Sequence, residues 1–176
     1  SIKHDKGHMA VKHADLELHS GEIVGIAGVD GNGQLELGEA IFGLRRIAQG
    51  EVYVDGEKIA RNTPDVMIAK GMAHIPDDRH KKGLVMDFST MDNLILGFQR
   101  SPKYSRSIFC KRTAIAENAA KLKESYDIRC HDITLPVRGL SGGNQQKVIL
   151  ARVLDSDPKV IIAIQPTRGL DVGAAE

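Results

Sequence analysis

Leu140-Ser141-Gly142-Gly143-Asn144-Gln145-Gln146 is the stretch on which the reading of this chain turns. A serine followed by two glycines, placed where an apolar-rich helix begins and runs to about Leu154, offers a hydroxyl, close backbone approach and a positive dipole end. Together these suit a terminal phosphate. An isolated Ser-Gly-Gly is equally an ordinary helix cap. The residues beyond this helix narrow the choice: Pro158 punctuates, the apolar run Val160 to Ala163 reads as a strand, and it leads through Ile164 and Gln165 into Pro166-Thr167-Arg168-Gly169-Leu170-Asp171.

Toward the N-terminus, Gly28-Val29-Asp30-Gly31-Asn32-Gly33 lies between an apolar stretch, Glu22 to Ala27, and a segment in which Leu37, Ala40, Ile41 and Leu44 recur at helical spacing. A phosphate loop of the GxxxxGK[ST] type needs glycines so that backbone amides converge on phosphate, a lysine to neutralise it, and a hydroxyl to ligate magnesium. The glycine spacing is present, but Gln34 and Leu35 stand where the lysine and the hydroxyl belong. A dinucleotide fingerprint also fails, because Glu36 replaces the third glycine. Taken alone, the loop reads equally as a tight structural turn or as an amide nest that still holds an anion.

The order of these motifs strongly resembles the ABC transporter ATPase family over essentially the whole chain. Leu140, Ser141, Gly142, Gly143, Asn144 and Gln145 look like the family's signature loop, and VIIAIQPT, residues 160–167, occupies the place of its second phosphate-site strand. Gly169, Leu170 and Asp171 look like the loop that contacts an opposite subunit. The resemblance implies an α/β fold of the P-loop NTPase type: a mainly parallel sheet, an N-terminal antiparallel β portion and an inserted α-helical subdomain. On that expectation residues 1–88 and 158–176 form a core lobe of one ABC ATPase domain, and about 89–157 form the helical subdomain carrying the signature. Serine at position 1, and an end at Glu176 where a new helix is expected to start, read as the ends of an excised piece.

The same resemblance assigns the losses. Where the family has a magnesium-holding aspartate this chain has Ile164, and where it has the glutamate acting on the attacking water it has Gln165. A neutral amide orients water without accepting its proton, and general-base catalysis contributes about 10²- to 10⁴-fold in rate. A charge-assisted hydrogen bond contributes about 1.5–3 kcal/mol, so the missing lysine alone weakens nucleotide binding about tenfold to a hundredfold. Asp77 falls where the family usually has a metal-sensing glutamine. The expected catalytic set is therefore not intact, and no metal ligands are assigned. Family members work as head-to-tail pairs with ATP between the phosphate loop of one and the signature of the other. The resemblance thus implies ATP with magnesium held mainly at a partner ATPase domain, fused N-terminally in the full chain, together with transmembrane permease subunits. The NQQ extension and PTRGLDVGA look most like the second domain of bacterial sugar and nucleoside importers, and GVDGNGQ resembles the nucleoside branch. The alternatives are a self-sufficient ATPase using an unrecognised acid or base, and a soluble ABC-like module acting away from membranes.

Bulk properties agree with a single domain carrying a small subdomain. The chain has 176 residues, 41% of them hydrophobic. With 24 lysines and arginines against 23 acids, the net charge of +1 gives no footprint for nucleic acid. Cys110 and Cys130 form no CxxC pair and read as small buried apolar residues. No stretch reaches the roughly 20 apolar residues of a membrane span, so the expected place is the cytoplasmic face of a membrane, reached through partners. Thr63-Pro64 predicts a helix start, Asp55-Gly56 a hairpin turn, and Asp15 to Leu18 with Glu22 to Ala27 two strands. Ile115, Ala119, Leu122 and Tyr126 predict one amphipathic helix. Arg79-His80-Lys81-Lys82 reads as a solvated basic loop or a docking point, and His4 and His8 as exposed rings.

Overall fold

Glycine at position 43 ends the first helix in the manner its neighbours predict. The N–H of Gly43 bonds to Ala40 O at 3.1 Å and that of Leu44 to Glu39 O at 2.8 Å, with Gly43 at φ 82°. This paired closure of the last carbonyls is the Schellman arrangement, which needs a left-handed residue. A side chain there would also collide with Thr63, whose backbone lies 2.8 Å from an ideal Cβ. Gly43→Ala is therefore expected to cost more than about 2 kcal/mol in a urea-unfolding measurement.

The structure is a computed structural model describing residues 1–170. It contains two compact units: residues 1–74 with 159–164, and residues 75–158 with 165–170. The first holds an antiparallel pair, β1 (Ile2–Lys3) and β2 (Met9–Val11), then α1 (Gln34–Ile41). Next comes a second antiparallel pair, β3 (Tyr53–Val54) and β4 (Glu57–Lys58). Its turn is Asp55-Gly56, with both residues at positive φ, as a two-residue hairpin requires. Then α2 (Pro64–Ala69) starts with Thr63 extended and proline in the first turn. Phe42, Ile59, Met67 and Met72 make the core of this unit, with Val160 and Ile162 packed against it.

β5 (Met72–Ile75) pairs with β8 (Val160–Ala163), although nearly half of the chain intervenes. Lys159 and Val160 both donate to Gly71 O, so the two strands begin side by side and run in the same direction. This is the α/β arrangement expected from the sequence. One expectation fails: residues 12–33 form no strand, and Ile23 is 98% and Val29 75% exposed. An apolar run becomes a strand only through a ladder with a neighbour, and no described residue supplies one here.

In the second unit Arg79–Gly83 forms a single π-helical turn, followed by α3 (Thr90–Asn93) and a hairpin of β6 (Ser105–Arg106) with β7 (Phe109–Cys110). α4 (Arg112–Ser125) buries Ile115, Ala119 and Leu122 along one stripe. α5 (Gly142–Leu154) buries Val148, Ile149 and Val153. Within this interior Arg152 donates to Asn93 O at 3.1 Å and Gly83 O at 2.9 Å, tying α5 to α3 and to the π turn. Burial pushes its guanidinium down to about 10, so it stays cationic at neutral pH. Neither cysteine is buried as expected: Cys110, on the short β6–β7 hairpin, is exposed, and Cys130 is half-buried.

Candidate functional site

In the first unit the glycine loop ends at Gly33, the residue preceding α1, at φ 99°. Gln34 then folds back: its Nε2 donates to Val29 O at 3.2 Å. A Cβ on Gly28 would lie 2.1 Å from that nitrogen. The Gln34 carboxamide therefore fills the space beside Gly28, across the loop. Glu36 stands in the first turn, 6% exposed, with its Oε1 3.4 Å from His4 Nε2. Lys6 N–H donates to His4 Nδ1 at 3.0 Å, which leaves Nε2 to carry a proton toward Glu36. His4 and His8 stack at 4.6 Å; His8 is exposed as expected, whereas His4 is half-buried beside Glu36. Spacing gave no sign of this, because Glu36 lies far along the chain. The favourable position for negative charge at this helix start is thus taken by a side-chain carboxylate.

Ile164 ends the first unit. Its Cδ1 lies 2.7 Å from where a Cβ on Gly38 would be, so the backbone of α1 rests directly on this side chain. It is 9% exposed and packs as a core residue. Among the described residues no group of three or more His, Cys, Asp or Glu is placed to hold a metal ion. Val29, Asp30, Gly31 and Asn32 are exposed loop residues, and Leu35 is half-buried.

In the second unit Ser141 precedes α5 with extended backbone, and its Oγ accepts from Asn144 N–H at 3.4 Å and from Asn144 Nδ2 at 2.9 Å. Ser141 is exposed, while Gly142, Gly143 and Asn144 are half-buried. The amide side chains next along the helix serve as braces. Asn144 Oδ1 accepts from Arg129 N at 2.7 Å, and Gln145 Nε2 donates to Leu140 O at 3.1 Å. Gln145 Oε1 meets His80 Nε2 at 2.8 Å, and Gln146 Nε2 donates to Pro166 O at 2.8 Å. Gln145 and Gln146 are 4% and 5% exposed. The first-turn N–H groups of a helix have no intrahelical acceptor; here that of Asn144 is capped by the hydroxyl of the exposed Ser141.

Gln165 and the loop carrying Gly169 and Leu170 also belong to this unit. Gln165 sits at φ 45°, and its Oε1 accepts from Arg168 Nη1 at 3.2 Å. Asp171 lies outside the described residues. Asp77 pairs with Lys82 at 2.9 Å. The basic run 79–82 is exposed at His80, Lys81 and Lys82: Asp78 caps its turn through His80 N–H and Lys81 N–H, while the half-buried Arg79 reaches Arg168 O and His80 Nε2 meets Gln145 Oε1. Backbone N–H donation from Lys81, and then from His80, holds the Asp78 carboxyl below its ordinary value. The inward role of Arg79 was illegible in sequence because its acceptors are backbone carbonyls, which carry no residue-type signal.

An α/β core with a glycine loop opening one helix and a Ser-Gly-Gly opening another is the architecture of an ATP-binding cassette. The chain superposes on the cassette described as the dimeric post-hydrolysis state of MJ0796 bound to ADP and Pi, with a TM-score of 0.72 and 25% identity over 94% of this chain and 69% of that one. It superposes on the MJ1267 cassette with a TM-score of 0.77 over 99% and 70% of the two chains; at 23% identity this speaks for the fold alone. Residues 11–168 match the ABC transporter family, and the chain belongs to that family. It is 45% identical over its whole length to the guanosine import ATP-binding protein NupO of Bacillus subtilis, and 40% to the nucleoside import ATP-binding protein NupA of Lactococcus lactis. It is also 42% identical to the glucose import ATP-binding protein TsgD13 of Haloferax volcanii. The chain spans about a third of the length of each of these relatives (34%, 35% and 32%).

Proposed function

We propose that this chain is an ATPase domain of a solute importer, the second of a tandem pair, that lends Ser141, Gly142 and Gly143 to ATP held by its partner domain while its own phosphate site stays silent. The contrast between two helix starts carries this reading. At α1 the Gln34 carboxamide lies across the glycine loop and Glu36 supplies negative charge, with Ile164 packed where a metal ligand would be needed. Magnesium nucleotide does not fit that site as it stands. At α5 an exposed serine precedes two half-buried glycines, and the Asn144 and Gln145 side chains brace the turn. Such a surface suits the terminal phosphate of a nucleotide whose magnesium and base come from elsewhere.

The domain division that goes with this role is a core lobe of residues 1–88 and 158–176, and a helical subdomain of about 89–157 that bears the signature. The solute is a nucleoside; the names of the NupO and NupA relatives support that class, although a glucose importer stands at similar identity. Among the described residues no helix is long and apolar enough to cross a membrane. Permease subunits supply the pore and the domain works on the membrane's cytoplasmic face, a reading that the import ATP-binding relatives support.

Ser141→Ala in the complete transporter tests the reading. The substitution removes a hydroxyl aimed at phosphate and is expected to lower ATP turnover about tenfold to a hundredfold. The lost helix cap costs about 1 kcal/mol of stability, too little to unfold the domain. Unchanged turnover would sink the donated signature. Titration of magnesium ATP into this chain alone is expected to show no tight binding, and Mg-dependent turnover by it alone would favour a self-sufficient ATPase.

A further inference from the structure

Arg79 connects the π turn to two segments that the chain places far apart in sequence. Its Nη1 donates to Arg168 O at 2.9 Å and its Nη2 to Gly169 O at 3.1 Å, a forked grip on consecutive carbonyls of the 165–170 loop. The same guanidinium lies close to the start of α5: a Cβ on Gly142 would be 3.0 Å from Nη2, and one on Gly169 would be 3.5 Å from either terminal nitrogen. Both glycines therefore leave room for this cation. Its Nε is buried without a hydrogen-bond partner among the described residues, so the head is held by the two carbonyls and by packing. A second tie joins the same two segments, from Gln146 Nε2 on α5 to Pro166 O at 2.8 Å. The turn bearing Arg79 is itself fixed, since Asp78 caps it and Arg152 holds Gly83 O.

We infer that Arg79 is a positioning residue that holds the 165–170 loop in register with the Ser141–Gly143 turn, so that both present one preformed face to the partner domain. The inference rests on the donated-signature reading. A planar fork with five donors suits two adjacent carbonyls, whereas a lysine ammonium grips as a single point. Gln146 acts with Arg79 as the second brace. ATP binds first through the partner's own phosphate loop, so a loosened face affects the committed step more than initial nucleotide binding.

The experiment measures steady-state ATP turnover of the complete transporter carrying Arg79→Ala, Arg79→Gln or Arg79→Lys, alone and combined with Gln146→Ala, beside Ser141→Ala. Arg79→Ala and Arg79→Gln are expected to lower kcat about tenfold with KM for ATP changed less than about twofold, and Arg79→Lys to recover part of the loss. The Gln146→Ala effect is expected to be smaller once Arg79 is gone, because both hold one loop. Wild-type kcat for Arg79→Ala overturns the inference. So does a fall in melting temperature with kcat per folded molecule unchanged in Arg79→Gln and Gln146→Ala, since that marks a purely structural tie. If Ser141→Ala is impaired and Arg79→Ala is not, only this inference falls. If neither is impaired, the signature reading falls with it.

Discussion

Ile164→Asp is expected to destabilise the first unit by about 4 kcal/mol and to restore no magnesium-dependent nucleotide binding. The backbone of α1 rests on this side chain at Gly38, with Ile162 Cγ2 3.5 Å from the same ideal Cβ. Trimming a buried isoleucine costs about 2–4 kcal/mol through lost packing and a residual cavity. The new carboxylate would add the cost of a buried charge lacking a cation, on a surface whose helix already buries Glu36 and Glu39. Arg45 answers Glu39 at 2.7 Å, and its guanidinium is held above its ordinary value by Asp5 first and then by Glu39, so that cation is already engaged. The check is the urea midpoint of the full-length chain together with its melting temperature with and without magnesium ATP. An unchanged midpoint, with a melting temperature raised by the nucleotide, would mean that the second phosphate-site strand retains a metal-binding geometry and that a single reversion reawakens it.

Gly33→Val is expected to be the most damaging change in the glycine loop, at about 4 kcal/mol. Two causes combine at this position. The residue stands at φ 99°, where a β-branched side chain is strongly disfavoured. Any Cβ would also sit 2.6 Å from Ala10 O and 3.0 Å from Val11 Cγ2, so β2 would have to move. Gly31→Val separates the causes, since Gly31 has φ 85° with nothing within 4 Å of an added Cβ. Its cost reports the backbone alone. Denaturant unfolding of the pair should show Gly33→Val well below Gly31→Val, and equal midpoints would remove the contact with β2 from the account.

Local chemistry made much of this chain legible without coordinates. Thr63-Pro64 and Asp55-Gly56 act through φ preferences belonging to the residues themselves, and both features form where those preferences place them. Ile115, Ala119 and Leu122 form a buried stripe because a helical period needs no information beyond spacing. Residues 22–27 show the limit of that reasoning. Their apolar run meets every local criterion for a strand, yet pairing is a property of two segments, and no described neighbour completes it.

At the candidate sites the sequence by itself determined which functional groups exist: no lysine after the glycine loop, no carboxylate at 164 or 165, and a serine with two glycines opening a helix. It also carried the order of motifs that marks the family. Only the tertiary structure decided what the replacements do. Gln34 crosses the loop to Val29, Ile164 supports α1 at Gly38, and Arg79 reaches across to the carbonyls of Arg168 and Gly169. The physical reason is that residue identity fixes what a side chain can donate, accept or fill, whereas its partners are set by long-range packing and by backbone groups that every residue shares.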